Sequence, residues 1–187
     1  MGQKNSKGLT KKELDRLKKE TNFNQNELLK IYKKFIEENP NGMIKKQDFG
    51  KLTKQLGLRD EFFSELLFNN FDDDNNGYID FSELCTVMNI IMKGSTDDKL
   101  EFIFKVYDLD GNGFLEKEEL YQIVESIYKI ASNSQFFDTK EEMLTYVDQC
   151  FEEADQDNDG KLSFDEFKTR AKNDPKFLTS LSPFFEN

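Results

Sequence analysis

The sequence predicts a mainly α-helical protein, built from four helix–loop–helix units that pack as two pairs. Four segments share a glycine that is followed six residues later by an acid and then by an apolar residue. Apolar side chains recur at the spacing of an amphipathic helix on both sides of these segments. The glycines are 35, 36 and 47 residues apart, which indicates an internal repeat with one insertion.

The repeat places four loops along the chain. The insertion in the third connection falls near Ala131–Lys140, whose polar start is typical of a loop. The glycines are Gly42, Gly77, Gly113 and Gly160, and the acids six residues later are Asp48, Glu83, Glu119 and Glu166.

Helices are predicted on both sides of each loop, most clearly around the third. Because one helix–loop–helix unit cannot bury its apolar face alone, the units should pack in pairs. We expect a first lobe over 21–93, a second over 94–175, a basic segment at 1–20 and a tail at 176–187. Ile44 should face Ile79 in one of the short antiparallel β-pairs between loops. The apolar stripes before and after the third loop are Leu100, Ile103, Phe104 and Tyr107, then Leu120, Ile123, Val124 and Ile127.

Composition restricts the classes of function. The net charge of -11 argues against a nucleic-acid partner. Histidine is absent, which argues against a zinc site and against catalysis by a histidine base. The two cysteines form no CxxC pair, and no apolar run is long enough to span a bilayer, so we expect a cytoplasmic protein with free thiols. We do not expect an enzyme, since neither cysteine has a histidine to activate it.

Three of the loops match the twelve-residue EF-hand pattern, in which positions 1, 3, 5, 7, 9 and 12 supply oxygens to Ca²⁺. The glutamate at position 12 is the discriminating residue, because it can supply two oxygens to the larger coordination shell of Ca²⁺. Position 7 contributes its carbonyl, and position 9 often acts through water. The predicted ligands are Asp72, Asp74, Asn76, Tyr78, Asp80 and Glu83; Asp108, Asp110, Asn112, Phe114, Glu116 and Glu119; and Asp155, Asp157, Asp159, Lys161, Ser163 and Glu166.

The first loop departs from this pattern. Counting from Gly42, its positions 1, 3, 5 and 12 are Glu37, Asn39, Asn41 and Asp48. Pro40 stiffens the turn that would wrap the ion, and Asp48 is one methylene shorter than glutamate. We therefore expect three Ca²⁺ sites, with the first loop kept as a structural partner of the second. Mg²⁺ is a candidate ion for the lobes when calcium is absent.

The N-terminus carries a lipidation signal. Met1-Gly2-Gln3-Lys4-Asn5-Ser6 matches the N-myristoylation motif, with Gly2 as the acceptor. Residues 1–20 contain seven bases and three acids. Because one acyl chain binds membranes only marginally, a basic segment is the second signal that would make the anchor useful on an anionic membrane.

Several segments together carry a resemblance to a known family: the Met1–Lys7 start, Thr21-Asn22-Phe23, Asn39-Pro40-Asn41-Gly42 in the disabled loop, the three intact loops and Lys172-Asn173-Asp174-Pro175. With these features the chain resembles the neuronal calcium sensor family, in its frequenin-like branch. The chain departs from the family at Asn39, where cysteine is usual, and in having no tryptophan.

The resemblance implies a calcium sensor, peripheral on membranes, whose first lobe receives an amphipathic helix of a target such as a lipid kinase or a receptor kinase. Two alternatives stay open: a constitutive, calcineurin-B-like regulatory subunit of an enzyme, and a calcium buffer. The side chains expected to line the groove are Phe23, Leu29, Tyr32, Phe35, Phe49, Leu52, Leu56, Leu84, Met88 and Met92.

Overall fold

The computed structural model describes residues 8–55, 58–130, 139–174 and 177, and within them it is mainly α-helical. Within these residues there are two short antiparallel β-pairs, one in each lobe, and each joins the two loops of its lobe, as the sequence predicts. The elements are α1 (Lys11–Glu20), α2 (Gln25–Glu38), β1 (Met43–Lys45), α3 (Lys46–Gln55), α4 (Glu61–Phe71), β2 (Tyr78–Asp80), α5 (Phe81–Lys93), α6 (Thr96–Tyr107), β3 (Leu115–Glu116), α7 (Lys117–Ile130), α8 (Lys140–Ala154), β4 (Lys161–Leu162) and α9 (Phe164–Asn173).

The first lobe joins its two loops through β1 and β2. Ile44 lies opposite Ile79, which confirms the predicted pair, and both side chains are buried. Phe49 at the start of α3 packs against Phe68 of α4, with ring centroids 5.7 Å apart. The β-pair and this aromatic contact tie the first loop to the second helix–loop–helix unit.

The second lobe repeats the arrangement with β3 and β4, where Leu115 lies opposite Leu162. All eight predicted stripe residues of α6 and α7 are buried. Phe104 packs against Phe167 of α9 at 5.6 Å, and Phe167 packs against Phe177 at 5.8 Å. Phe177 is only 2% exposed, so the core of this lobe extends beyond residue 175, where the sequence places its end. Of the insertion predicted near Ala131–Lys140, residues 131–138 lie outside the described residues and α8 begins at Lys140; of the tail predicted at 176–187, only Phe177 is described.

Local side-chain contacts fix where the helices begin. The Asn24 side chain accepts hydrogen bonds from the amides of Asn26 and Glu27, and the Glu27 carboxylate accepts one from the Asn24 amide at 2.8 Å. Ser95 and Asp98 form the same reciprocal cap at the start of α6. These caps satisfy amides that have no partner inside the helix, and the Ser95 cap begins α6 shortly after α5 ends at Lys93.

Helix α1 packs on the first lobe, although the sequence separates 1–20 from it. Leu17 is 1% exposed because α1 lies against α2 and α5. Arg16 donates a hydrogen bond to the Ser82 hydroxyl, and the Asn22 amide donates to the side chain of Asn89 at 2.8 Å. The amphipathic pattern of the basic segment therefore serves the core with one face and leaves its lysines exposed on the other.

The two lobes are in contact through helices α4, α5, α6 and α7. A cavity of 340 Å³ lies between them, with an almost entirely apolar lining that includes Leu67, Met88 and Phe102. Lys105 of α6 approaches Asp73 of the second loop at 3.6 Å. Both cysteines are buried and free, and no helix in the described ranges has the length and apolarity needed to cross a membrane.

Candidate metal centres

The second loop brings three carboxylates together. Oxygens of Asp72, Asp74 and Glu83 lie within 4.8 Å of one another. Asp72 follows directly after α4 and is 5% exposed. Its carboxylate accepts hydrogen bonds from the amides of Asn76 at 3.0 Å and Gly77 at 2.8 Å, which curls the loop around its own acid. Such a cluster of hard oxygen donors suits a divalent cation.

The third loop has the same construction. Asp108, Asp110 and Glu119 present oxygens within 4.8 Å of one another. The Asp108 carboxylate accepts hydrogen bonds from the amides of Asn112 at 3.0 Å and Gly113 at 2.8 Å. Glu119 is only 7% exposed, so its charge lies in a largely desolvated position that favours a cation beside it.

The fourth loop gathers Asp155, Asp157 and Asp159 within 4.8 Å. The Asp155 carboxylate accepts hydrogen bonds from the amides of Asp159 at 3.2 Å and Gly160 at 3.1 Å. Glu166 lies outside this triplet but faces the loop, since its carboxylate accepts a hydrogen bond from the Gln156 amide at 2.9 Å.

The three position-12 glutamates share a pair of contacts that ties each loop to its exit helix. One carboxylate oxygen accepts from the amide at position 2, and the other accepts from the amide at position 9. The first set joins Asp73 to Glu83 at 3.1 Å, Leu109 to Glu119 at 2.8 Å and Gln156 to Glu166 at 2.9 Å, and the second joins Asp80, Glu116 and Ser163 to the same glutamates at 2.8 Å.

The surroundings of these glutamates shift their pKa values in different directions. Burial raises the pKa of Glu83, and the neighbouring carboxylates of Asp80 and Asp74 add to that rise. The Ser163 hydroxyl and amide lower the pKa of Glu166 by donating hydrogen bonds to it. A divalent cation would relieve the repulsion that Glu83 experiences from its neighbouring carboxylates.

The predicted carbonyl ligands are placed by the β-pairs. Tyr78 and Lys161 begin β2 and β4, and Phe114 directly precedes β3. In each loop the position-7 amide donates a hydrogen bond of 2.9 Å to the side chain at position 5, namely Asn76, Asn112 or Asp159. This contact folds the position-5 side chain toward the centre of the loop.

One position that sequence reasoning missed shapes all three loops. Position 4 has a left-handed backbone in each, with φ of 54° at Asn75, 70° at Gly111 and 58° at Asn158. Asparagine and glycine are the residues that adopt this conformation most readily. Their recurrence at position 4 is visible in the sequence and could have been used as a signal.

The first loop lacks this geometry because its incoming helix runs too far. Helix α2 continues through Glu38 and ends at the cap Asn39, which is position 3, whereas the incoming helices of the other loops end just before position 1. Glu37, at position 1, therefore stays within the helix and pairs with Lys33 at 3.8 Å. The Glu37 carboxylate therefore forms its ion pair on the surface of α2.

Other residues of the first loop also form contacts that differ from those of the other three loops. The Gly42 amide donates to the carbonyl of Asn39 at 2.8 Å instead of to an acid at position 1. Asp48 pairs with Lys51 at 2.8 Å, and this ammonium lowers the pKa of the Asp48 carboxyl. Pro40 occupies position 4, where the proline ring excludes the positive φ that the other loops use. Among the described residues, carboxylate clusters able to hold a metal occur in the other three loops.

An open apolar groove of 960 Å³ lies beside the first loop. Leu52, Leu84 and Met88 line both this groove and the cavity between the lobes, so the two are continuous. Phe35 lines the groove but not the cavity between the lobes, and Phe49 lines that cavity but not the groove. Ile31 and Ile44, which the sequence reasoning did not select, also line the groove.

The remaining groove candidates lie elsewhere. Phe23 is buried beneath the ammonium of Lys93, which lies 5.7 Å from its ring centroid. Tyr32 faces the opposite side of α2, where its ring meets that of Phe81 at 4.9 Å. Leu29 and Met92 are 43% and 59% exposed and line neither space. Leu56 and the lipidation candidate Gly2 lie outside the described residues.

Comparisons with known proteins agree with this geometry. The EF-hand domain pair matches residues 97–172, and the EF hand domain matches residues 65–91. Neuronal calcium sensor 1 of Aplysia californica is 35% identical over 185 residues, 97% of this chain and 96% of that protein. Neuronal calcium sensor 1 of Lymnaea stagnalis is 32% identical over the same shares. The calcium-binding protein NCSA of Dictyostelium discoideum is 33% identical over 122 residues, 65% of this chain and 66% of that protein.

Proposed function

Because the chain belongs to the neuronal calcium sensor family of EF-hand proteins, we propose that it is a calcium sensor that binds three Ca²⁺ and regulates target proteins at membranes. The three ions occupy loops 72–83, 108–119 and 155–166, and the first loop holds none. The observation that carries the proposal is the convergence of acidic oxygens in those loops, with a position-12 glutamate bonded across each.

The proposed ligands are the side chains at positions 1, 3, 5 and 12 and the carbonyls at position 7. All are hard oxygen donors, which supports Ca²⁺, and Mg²⁺ as an occupant when calcium is low. Affinities in the sensor range, roughly 10⁻⁷–10⁻⁵ M, follow from sites with three or four carboxylates on a partly exposed loop.

The readout of calcium is proposed to be the apolar groove of the lobe 21–93, which receives an amphipathic helix of a target protein. Its position supports this role, because Leu84 and Met88 of the groove wall lie on α5, the helix whose first turn contains the second loop's Glu83. An ion that draws Glu83 inward would move that wall. The lobe 94–175 carries the other two ions.

A myristoyl group on Gly2 is proposed to bring the protein to anionic membranes. Seven bases among residues 1–20 supply the second attraction that a single acyl chain requires. Lysines of α1, including Lys11, Lys12 and Lys19, are exposed and available to lipid headgroups.

Two other functions within calcium binding are distinguished by simple observations. A constitutive regulatory subunit would copurify with its enzyme in both calcium and chelator, whereas a sensor should exchange its target. A buffer needs no groove, so the 960 Å³ groove beside α5 favours the sensor.

The test combines calorimetry with a hydrophobic dye. Titration of the calcium-free protein should count three ions, and 8-anilinonaphthalene-1-sulfonate should brighten as apolar surface opens. Dye fluorescence that ignores calcium would favour the buffer, and a count of four ions would contradict the role given to the first loop.

A further inference from the structure

The groove has walls of unequal character. Its α5 wall is apolar and presents Leu84 and Met88. Its other two walls, on α2 and α3, carry exposed charged side chains at the rim: the lysines Lys30, Lys34 and Lys51, and the acids Glu38 and Asp48. An occupant therefore meets an apolar floor between two charged edges on which lysines outnumber acids by three to two.

The positive edge reflects the charge of the whole first helix–loop–helix unit. Residues 25–55 contain seven lysines and four acids, a net of +3. The corresponding unit of the second lobe, 96–130, contains four lysines and nine acids, a net of -5. The unit that contains the first loop thus carries a net positive charge in a protein of net charge -11.

The rim lysines are available to a partner. Lys34 approaches Glu38 at 3.9 Å with 78% of its side chain exposed, and Lys51 approaches Asp48 at 2.8 Å with 73% exposed. Exposed pairs of this kind contribute little, so an arriving carboxylate can replace the internal one. At physiological ionic strength charges are screened beyond about 8 Å, so the rim acts locally despite the acidic remainder of the chain.

We propose that the partner of this groove is an amphipathic helix whose apolar face is flanked on both sides by Asp or Glu. The inference rests on the proposed function, since it assumes that the groove receives a helix. Carboxylates on one side of the helix meet Lys30 and Lys34, and those on the other meet Lys51. Apolar residues at three- and four-residue spacing then reach Ile31, Phe35 and Met88 on the groove walls.

The test uses two synthetic amphipathic helices with one apolar face, flanked by glutamates in one peptide and by lysines in the other. Fluorescence anisotropy in calcium at 0.15 M salt should show about tenfold tighter binding of the glutamate peptide, as expected for a few complementary rim pairs. The overall charge of the protein alone would give the opposite order, so the two explanations separate.

Matched variants assign the effect to the rim. The triple variant Lys30→Glu, Lys34→Glu, Lys51→Glu should bind the glutamate peptide about tenfold more weakly and the lysine peptide more tightly. The control triple variant makes the same change in net charge at Lys33, Lys45 and Lys54, which do not line the groove, and should keep the wild-type preference.

Three results would overturn the proposal. In the first, the lysine peptide binds the wild type as tightly as the glutamate peptide or more tightly. In the second, the control variant loses the preference for the glutamate peptide as fully as the rim variant does. In the third, anionic vesicles bind the unacylated wild type through the rim lysines while neither peptide binds. The dye titration is run on the same samples. If the dye does not respond to calcium, the proposed function fails first and the inference falls with it; if the dye responds, the fault lies in the charge of the partner.

Discussion

Position 4 of the calcium loops allows the backbone requirement to be tested without touching a ligand. Asn75 has a φ of 54°, and its side chain is not one of the predicted ligands. A left-handed conformation costs an ordinary L-residue about 1–2 kcal/mol, while glycine adopts it freely and proline cannot adopt it. If the ion requires this conformation and the calcium-free loop relaxes out of it, the cost appears in the affinity.

The expected affinities form a graded series. Asn75→Gly should bind Ca²⁺ about as well as wild type, because glycine accepts the same φ. Asn75→Ala should bind about 5- to 30-fold more weakly, which is 1–2 kcal/mol expressed as a ratio of dissociation constants. Asn75→Pro should lose the site, as Pro40 is proposed to do in the first loop.

The assay is calcium calorimetry in a Glu119→Gln, Glu166→Gln background, in which the second loop alone should bind. Circular dichroism of each variant checks that the helices are retained. If Asn75→Ala binds with wild-type affinity, the loop already holds the conformation before the ion arrives, and the reasoning fails. If Asn75→Pro still binds Ca²⁺, proline at position 4 does not explain why the first loop should hold no ion.

Three further outcomes are expected. Glu83→Gln, Glu119→Gln and Glu166→Gln should each lower the calorimetric count of ions from three to two, because each removes a charge and a strong oxygen donor. Gly2→Ala should abolish acylation and most sedimentation with anionic vesicles, whereas undiminished sedimentation would exclude the lipid as the anchor. Phe167→Ala should destabilise the second lobe by about 3–5 kcal/mol in urea unfolding, since its ring is 1% exposed and packs between two other phenylalanines.

The sequence predicted the features that arise from local periodicity. The buried stripes of α6 and α7 and the pairing of Ile44 with Ile79 both follow from spacing measured against a glycine. The stripes depend on residues close together in the chain, whereas the pairing follows because Ile44 and Ile79 lie two residues after the glycines of successive repeats. The ligands themselves stay predictions, although the structure brings most of the acidic ones together.

Features that depend on distant contacts were not predictable in the same way. The burial of Leu17 requires α2 and α5 to form a surface for α1, which no local pattern reveals. Helix α2 runs to Glu38, beyond position 1 of its loop, and keeps Glu37 on the helix surface beside Lys33, which the repeat pattern alone does not show. The groove walls likewise include Ile31 and Ile44, which any helical or strand pattern would assign equally well to the core.

The first loop, which is proposed to hold no ion, gives the proposed switch a direction. The α3 wall of the groove follows a loop that the β1–β2 pair and the Lys51–Asp48 pair hold without an ion. The α5 wall follows a loop whose partly buried Glu83 lies among other carboxylates, so a bound cation would act directly on this side chain. Calcium would therefore act on one wall and leave the opposite wall fixed. A groove that opens against a fixed wall keeps its rim lysines in place, so the chemistry of the partner would be read by α2 and α3 while calcium controls access through α5.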